Sequence, residues 1–297
     1  MLKLVKIFNK VYLWKYYFKF IPYVEVIFQS GEKFGKVIKT HGGFAVFTDK
    51  MIYKITHNKN INILYGNQNN FFNKSNQCLL LSHDIIYHSD SILIISESNL
   101  NHIITNDLNF DEIFILYKNL VQNNIQESQA LDVTKFIDRN FQKINRKYRE
   151  KIEELLSGIE NKEVVLSLIH GDFWKENILI TPDNIYFIDY DRSSEYSFLE
   201  FDLINYFIFD IVYKNSKPSW DIFTNILNKE NIHNELLVYL DKFYSSQNIN
   251  DVNKLYIDVI VKLYILKTLY NNNLYLEGFN YLKWSRHRKN IERLLWN

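Results

Sequence analysis

The sequence predicts an α+β chain, with a small antiparallel β-sheet in its first third and a mainly helical remainder. Residues 36–56, KVIKTHGGFAVFTDKMIYKIT, alternate apolar and polar side chains around two turn signals. Residues 78–98, CLLLSHDIIYHSDSILIISES, repeat that pattern. From Asp111 onward, apolar residues recur at helical spacing, as in DEIFILYKNLVQNN and VTKFIDRNFQKINRKYREKIEELLSG.

Composition bounds the class. The 297 residues, 47% hydrophobic and 16% aromatic, suffice for one large domain or two lobes and exclude a disordered chain. A single cysteine, Cys78, cannot form an internal disulfide, and residues 1–29 lack the apolar core and small-residue cleavage site of a secretory signal. A cytoplasmic location is therefore expected. No apolar run is long enough for a membrane-spanning helix.

The net charge of +1 hides an asymmetry. Residues 1–83 carry twelve lysines against Glu25, Glu32 and Asp49, a balance of +9 that leaves −8 for the rest. This fits a polyanion such as a nucleotide or anionic lipid on the first part and a cationic substrate on the second; solvated lysines are the plainer reading. No nucleic-acid partner is expected.

Element by element, residues 2–20, LKLVKIFNKVYLWKYYFKF, mix lysines and aromatics at roughly helical spacing and stop near Pro22. Packing against the fold is the default, and a peripheral membrane contact through residues 1–20 the alternative. Three strands follow, before Gly42-Gly43, after it, and after the Asp49-Lys50 turn. A polar segment with helical character spans 60–76, and two further strands meet around His88 to Ser91. The domain boundary is placed at residue 97: a nucleotide-binding lobe over 1–97, including the basic-aromatic segment 1–22, and a helical catalytic and substrate-binding lobe over 98–297. His83, Asp84, His88 and Asp90 fall at a strand turn with no cysteine and no helical metal-ligand spacing, so no metal cluster is expected there. The terminal LKWSRHRKNIERLLWN reads as a basic amphipathic helix packed by Leu282, Ile291, Leu294 and Leu295.

The chemistry concentrates in SLIHGDFWKENILITPDNIYFIDYD, residues 167–191. ILI (178–180) and IYFI (185–188) read as strands joined by a turn at Pro182-Asp183-Asn184. Pairing Asn177 with Asp189, to within one residue of register, brings both side chains to the open end of the hairpin. Asp172 precedes Asn177 in a loop that can fold back over the same point. Two hard oxygen ligands suit Mg2+, and a further carboxylate can accept a proton. Those are the parts that in-line phosphoryl transfer needs.

HGDFWKEN followed by FIDYD resembles the His-Gly-Asp-x-x-x-x-Asn and Ile-Asp signatures of the aminoglycoside phosphotransferase and choline kinase-like group. The resemblance implies a bilobal protein kinase-like fold, with a small antiparallel β-sheet N-lobe and a mainly helical C-lobe. It also implies transfer of the γ-phosphate of ATP to a hydroxyl of a small polar acceptor such as an amino sugar, amino alcohol or surface-glycan sugar. Asp172 would be the catalytic base, His170 would join it as a catalytic residue, and His170 and Gly171 would shape the loop. Asn177 and Asp189 would hold Mg2+. EFDLINYF is similar to the group's Asp-Leu segment, which makes Asp202 the structural brace. THGGFAVFTDKMIYKIT resembles the nucleotide-covering hairpin, with Gly42 and Gly43 over the nucleotide and Lys54 on its phosphates; Lys50 is the runner-up.

No Asp or Glu lies between Asp49 and Asp84, so the helix that would supply a glutamate to this lysine has none. Asp84 or an N-terminal carboxylate would substitute. Trp174 and Tyr190 offer aromatic faces for a sugar or ammonium group, with core packing as the alternative. Asp191, Glu195 and Glu200 could meet a cationic acceptor or line a solvated loop. Two rival readings stay open: a metal-dependent phosphohydrolase using His170, Asp172, Asp189 and Asp191, and a degenerate kinase fold acting as a binding module.

Overall fold

In the computed structural model, the alternation from Phe34 to His57 becomes three strands, β1 (Phe34–Lys39), β2 (Gly43–Thr48) and β3 (Met51–His57). The β2–β3 turn is closed by Thr48, whose hydroxyl accepts from the Met51 N–H at 2.8 Å and donates to the Met51 carbonyl at 2.9 Å. A helix, α1 (Ile61–Lys74), precedes β4 (His83–His88) and β5 (Ile92–Ser98). The five strands form one antiparallel sheet in the order β1-β2-β3-β5-β4. Both faces carry buried side chains: Val46, Tyr53, Ile55 and Ile94 on one, Ala45, Leu93 and Ile95 on the other.

The structure describes residues 34–39, 43–57, 61–76, 79–81, 83–88, 92–98, 108–141, 144, 146–182, 184–190, 192–215, 219–247, 251–271 and 281–296. Gly42, Asp191 and the basic-aromatic segment 1–22, with the membrane contact expected of it, lie outside the described residues. No helix among the described residues is long and apolar enough to cross a membrane.

The chain forms two compact units: the sheet belongs to the first, and α1 from Gly66 onward to the second. The second unit contains α2 (Phe110–Val121), α3 (Val133–Asn140), α4 (Arg146–Ser157), β6 (Gln129–Ala130), β7 (Glu163–Val164), β8 (Ser167–Ile169), β9 (Ile178–Ile180), β10 (Ile185–Phe187) and β11 (Ser194–Ser197). It continues through α5 (Glu200–Asn215), α6 (Ser219–Leu227), α7 (Asn231–Gln247), α8 (Ile257–Asn271) and α9 (Tyr281–Trp296). The strands pair antiparallel as β6–β7, β8–β11 and β9–β10.

Local sequence explains where the helices begin. Asn109 caps α2, accepting from the Asp111 and Glu112 N–H groups, while Glu112 Oε2 accepts from the Asn109 N–H at 2.8 Å, a complete capping box. Asp132 caps α3 by accepting from the Lys135 N–H at 2.9 Å. The core of this unit is aromatic: Tyr117, Phe136, Phe173, Phe198 and Phe243 are fully buried. The predicted C-terminal helix is present as α9, packed through Ile291 and Leu295.

Candidate active site

β8 is buried at all three residues and delivers His170, also buried, to the start of a loop. Asp202, in the first turn of α5, pins that loop by its backbone. Its Oδ2 accepts from the His170 N–H at 2.6 Å and its Oδ1 from the Gly171 N–H at 2.8 Å. The Tyr117 hydroxyl also donates to Oδ2, at 3.0 Å. Burial raises the Asp202 carboxyl to about 6, against the lowering effect of these donors.

Farther along the same face of α5, Asn205 Nδ2 donates to the Phe173 carbonyl at 2.9 Å, and Phe209 packs on Trp174 with ring centroids 5.0 Å apart. Residues 202, 205 and 209 follow helical spacing, so one helix face holds the loop at three successive points.

Gly171 has φ +83°, and a Cβ there would lie 2.0 Å from the Arg192 carbonyl oxygen. Only glycine fits that turn and that approach. His170 Nε2 lies 2.9 Å from the Ile188 carbonyl, to which it donates, and Nδ1 accepts from the Asp172 N–H at 3.3 Å. Burial pushes this imidazole down to about 4, so it is neutral near pH 7. His170 thereby ties the loop to the end of β10, and both ring nitrogens are engaged with backbone. The phosphohydrolase reading, which needs this ring as a metal ligand, loses its support.

The loop, a short turn at Lys175–Asn177 and the residues after β10 gather the predicted side chains. Asn177 Nδ2 donates to the Asp172 carbonyl at 2.8 Å, and the Ile188 N–H donates to the Asn177 carbonyl at 3.0 Å. The hairpin register runs Ile180 to Ile185 and Ile178 to Phe187, which sets Asn177 against Ile188, one residue off the expected pairing with Asp189. Asp189 leaves the strand with φ 58°, a left-handed turn that ends the alternation. It remains close enough to raise the Asp172 carboxyl, adding to burial as the larger cause, while Arg192 opposes both. Arg192 Nη1 is 3.9 Å from Asp172 Oδ2. Asp172, Asn177 and Asp189 are thus brought together.

Several expectations need correction. Tyr190 is 2% exposed and stacks on Phe71 at 5.3 Å, which makes it a core residue and no substrate platform. Glu195 is held by Lys74 at 2.6 Å; burial alone would raise it, but hydrogen bonds from Lys74 and Asn70 keep it below the usual carboxylate range. Glu200 is fully buried, accepting from the Tyr244 hydroxyl and from Asn253 Nδ2 at 3.0 Å, and so lines no solvated loop. Trp174 stays partly exposed beside Asp172.

On the sheet, Lys54 of β3 meets Glu97 of β5, with Nζ 2.9 Å from Oε2 and 3.1 Å from Oε1. Among the described residues the carboxylate at Lys54 is therefore Glu97 and not Asp84, which is exposed. The missing helix glutamate, which motivated the degenerate-fold reading, no longer argues for it. Lys50 is exposed in the β2–β3 turn, and Gly43 opens β2 opposite Thr56. Among the described residues, no cluster of His, Cys, Asp and Glu has metal-binding geometry by itself.

Arg192 was not anticipated, although DYDRSS places it three residues beyond Asp189. Tyr117, Asn205 and Glu97 were also missed, since nothing local in sequence marks them.

Solved structures share this architecture. An amicoumacin kinase, hAmiN, in complex with AMP-PNP, Ca2+ and Ami aligns with TM-score 0.51 at 13% identity over 91% of this chain and 93% of that one. A protein assigned as a fructosamine-3-kinase from Haemophilus somnus 129PT gives 0.54 at 13% over 89% and 92%. The choline kinase LicA from Streptococcus pneumoniae gives 0.52 at 13% over 92% and 98%. These likenesses establish the protein kinase-like fold. No curated protein sequence matches. The model of the ecdysteroid kinase-like family, EcKL, matches residues 91–242, which span β5, the loop of Asp172, Asn177 and Asp189, and helix α5 with its brace. With just over half of its length matched, this chain belongs to the ecdysteroid kinase-like family.

Proposed function

We propose that this protein is an ATP-dependent small-molecule kinase, which moves the γ-phosphate to a hydroxyl of a small polar acceptor. The observation that carries this reading is the gathering of Asn177 and Asp189 about Asp172, whose loop is pinned by Asp202. Asp172 takes the proton of the acceptor hydroxyl as its oxygen attacks, and ADP leaves. Arg192 favours the ionised base, countering its burial.

The donor set fits Mg2+: an amide oxygen and a carboxylate are hard ligands, and the mutual repulsion of Asp172 and Asp189 is a negative potential that a cation relieves. Asn177 and Asp189 would hold the ion. When bound, it supplies charge neutralisation on the phosphates. The Asn177 amide nitrogen donates to the Asp172 carbonyl, and its side chain also hydrogen-bonds the Asp172 carboxyl, which ties Asn177 to the base. His170 shapes the loop without taking part in proton transfer. Lys54 is assigned to the phosphates.

Amino sugars, amino alcohols and surface-glycan sugars fit the acceptor class. The structural relatives are named for amicoumacin, fructosamine and choline, a spread that supports a small-molecule acceptor without choosing one. A cytoplasmic setting agrees with the single cysteine.

The test is ADP release from Mg·ATP across a panel of hydroxylated acceptors, with Asp189→Ala alongside. At least one acceptor should stimulate release. Asp189→Ala should abolish Mg-dependent nucleotide binding and turnover while its circular dichroism stays native. Unchanged activity in that variant contradicts the metal assignment.

A further inference from the structure

We infer that Glu97 on β5 is the positioning residue for the phosphate-binding lysine, so that Lys54 is set within the sheet and not from α1. This rests on the reading of Lys54 as the phosphate lysine. In the strand register Lys54 faces Ile95 and Ile52 faces Glu97, which makes Lys54 and Glu97 diagonal neighbours on one face. Diagonal pairs lie within reach of long side chains. Both carboxylate oxygens lie within 3.1 Å of Nζ, and the Glu97 side chain is only 5% exposed against 20% for Lys54. The carboxylate is therefore the fixed partner and the amine the end that reaches solvent.

The helix α1 has a different task. Its sequence, INILYGNQNNFFNK, contains no carboxylate. Its second half is tied to the segment after Asp189: Phe71 stacks on Tyr190 and meets His170 edge-on at 5.6 Å, and Lys74 pairs with Glu195 at 2.6 Å. In protein kinases the corresponding lysine pairs with a glutamate on a mobile helix, and placing that helix switches activity. Here the carboxylate is part of the strand ladder, so the lysine is positioned whenever the sheet is folded. The pairing of Lys54 with Glu97 is thus set by the sheet and needs no movement of α1.

A double-mutant cycle tests this, read as the dissociation constant for Mg·AMP-PNP by calorimetry so that no acceptor is needed. Lys54→Ala should weaken binding by about 10- to 100-fold, the range for losing one charged hydrogen bond. Glu97→Gln, nearly isosteric, should weaken it by about 5- to 20-fold, since a neutral amide holds the amine less firmly. Lys54→Ala/Glu97→Gln should match Lys54→Ala within about twofold, because Glu97 acts only through the lysine. A merely structural Glu97 would lower the melting temperature and leave affinity intact, or would add its full factor in the double variant; either result overturns the inference. Should Glu97→Gln fail to fold, Glu97→Asp replaces it, with a loss of about threefold alone and none on top of Lys54→Ala. Wild-type affinity in Lys54→Ala instead removes the reading of the lysine itself, a failure distinct from that of Glu97.

Discussion

Gly171 carries two constraints at once, a φ of +83° and a carbonyl oxygen 2.0 Å from where its Cβ would be. Gly171→Ala must therefore move either the loop or the Arg192 backbone. Strain of this kind costs about 1–3 kcal/mol, and the displacement reaches the neighbouring Asp172. A lowered urea midpoint together with a loss of ADP release is expected; full activity would contradict the close approach. Lys267 gives a second test. Its Nζ donates to Asn140 Oδ1 at 3.2 Å, and burial lowers its pKa from 10.5 to about 8, with Asp202 partly compensating. The folded state thus binds this proton less tightly than the unfolded chain. The stability belonging to the neutral amine is complete above the unfolded value and is lost as pH falls through about 8. Lys267→Met should be more stable than wild type at neutral pH, and its advantage should shrink as pH rises past 8 towards 10.5. Asn140 Oδ1 keeps Ser197 as a donor at 2.7 Å, so the substitution leaves it partnered. An advantage that does not change with pH, measured by urea unfolding, would contradict the assignment.

At the scale of elements, α5 sets the loop that carries Asp172 through Asp202, Asn205 and Phe209. Asn205 bridges the Phe173 carbonyl and the Tyr264 hydroxyl, the latter at 2.8 Å. Asn205→Ala takes a donor from the Phe173 carbonyl and an acceptor from the Tyr264 hydroxyl, which keeps Thr268, a loss of about 1–3 kcal/mol, and should lower kcat more than it raises KM for ATP, because the loop loosens while Lys54 is untouched. Equal stability in that variant would remove α5 as the ruler of the loop. The strands of the sheet and the 178–187 hairpin were legible in sequence because alternation and turn residues are local signals. The hairpin slipped by one residue because four residues, not three, join its strands, which no pattern of polarity distinguishes. Glu97 was illegible for a related reason: a diagonal partner is defined only once register is known. The Glu200–Tyr244–Asn253 network joins residues far apart in sequence, and its acid looked like a loop charge until α5 buried it.

For the whole molecule, the sequence showed a basic first part and an acidic remainder, and the structure gives each of two units its own buried side chains. What the fold adds is convergence: Asp172, Asn177 and Asp189 lie on separate turns, and the proposed site depends on α5, β8 and the hairpin to hold them together. Residues that choose an acceptor carry no comparable spacing, so the kinase-like family was legible and the substrate was not. The most direct measurement is Asp172→Asn, compared with wild type for Mg·ATP affinity and for ADP release with the best acceptor of the panel. Affinity should stay within about threefold and turnover should fall by about 100-fold or more, the scale of losing a general base. Collapsed nucleotide affinity with surviving turnover of bound ATP, or turnover equal to wild type, would contradict the assignment of Asp172 as the base.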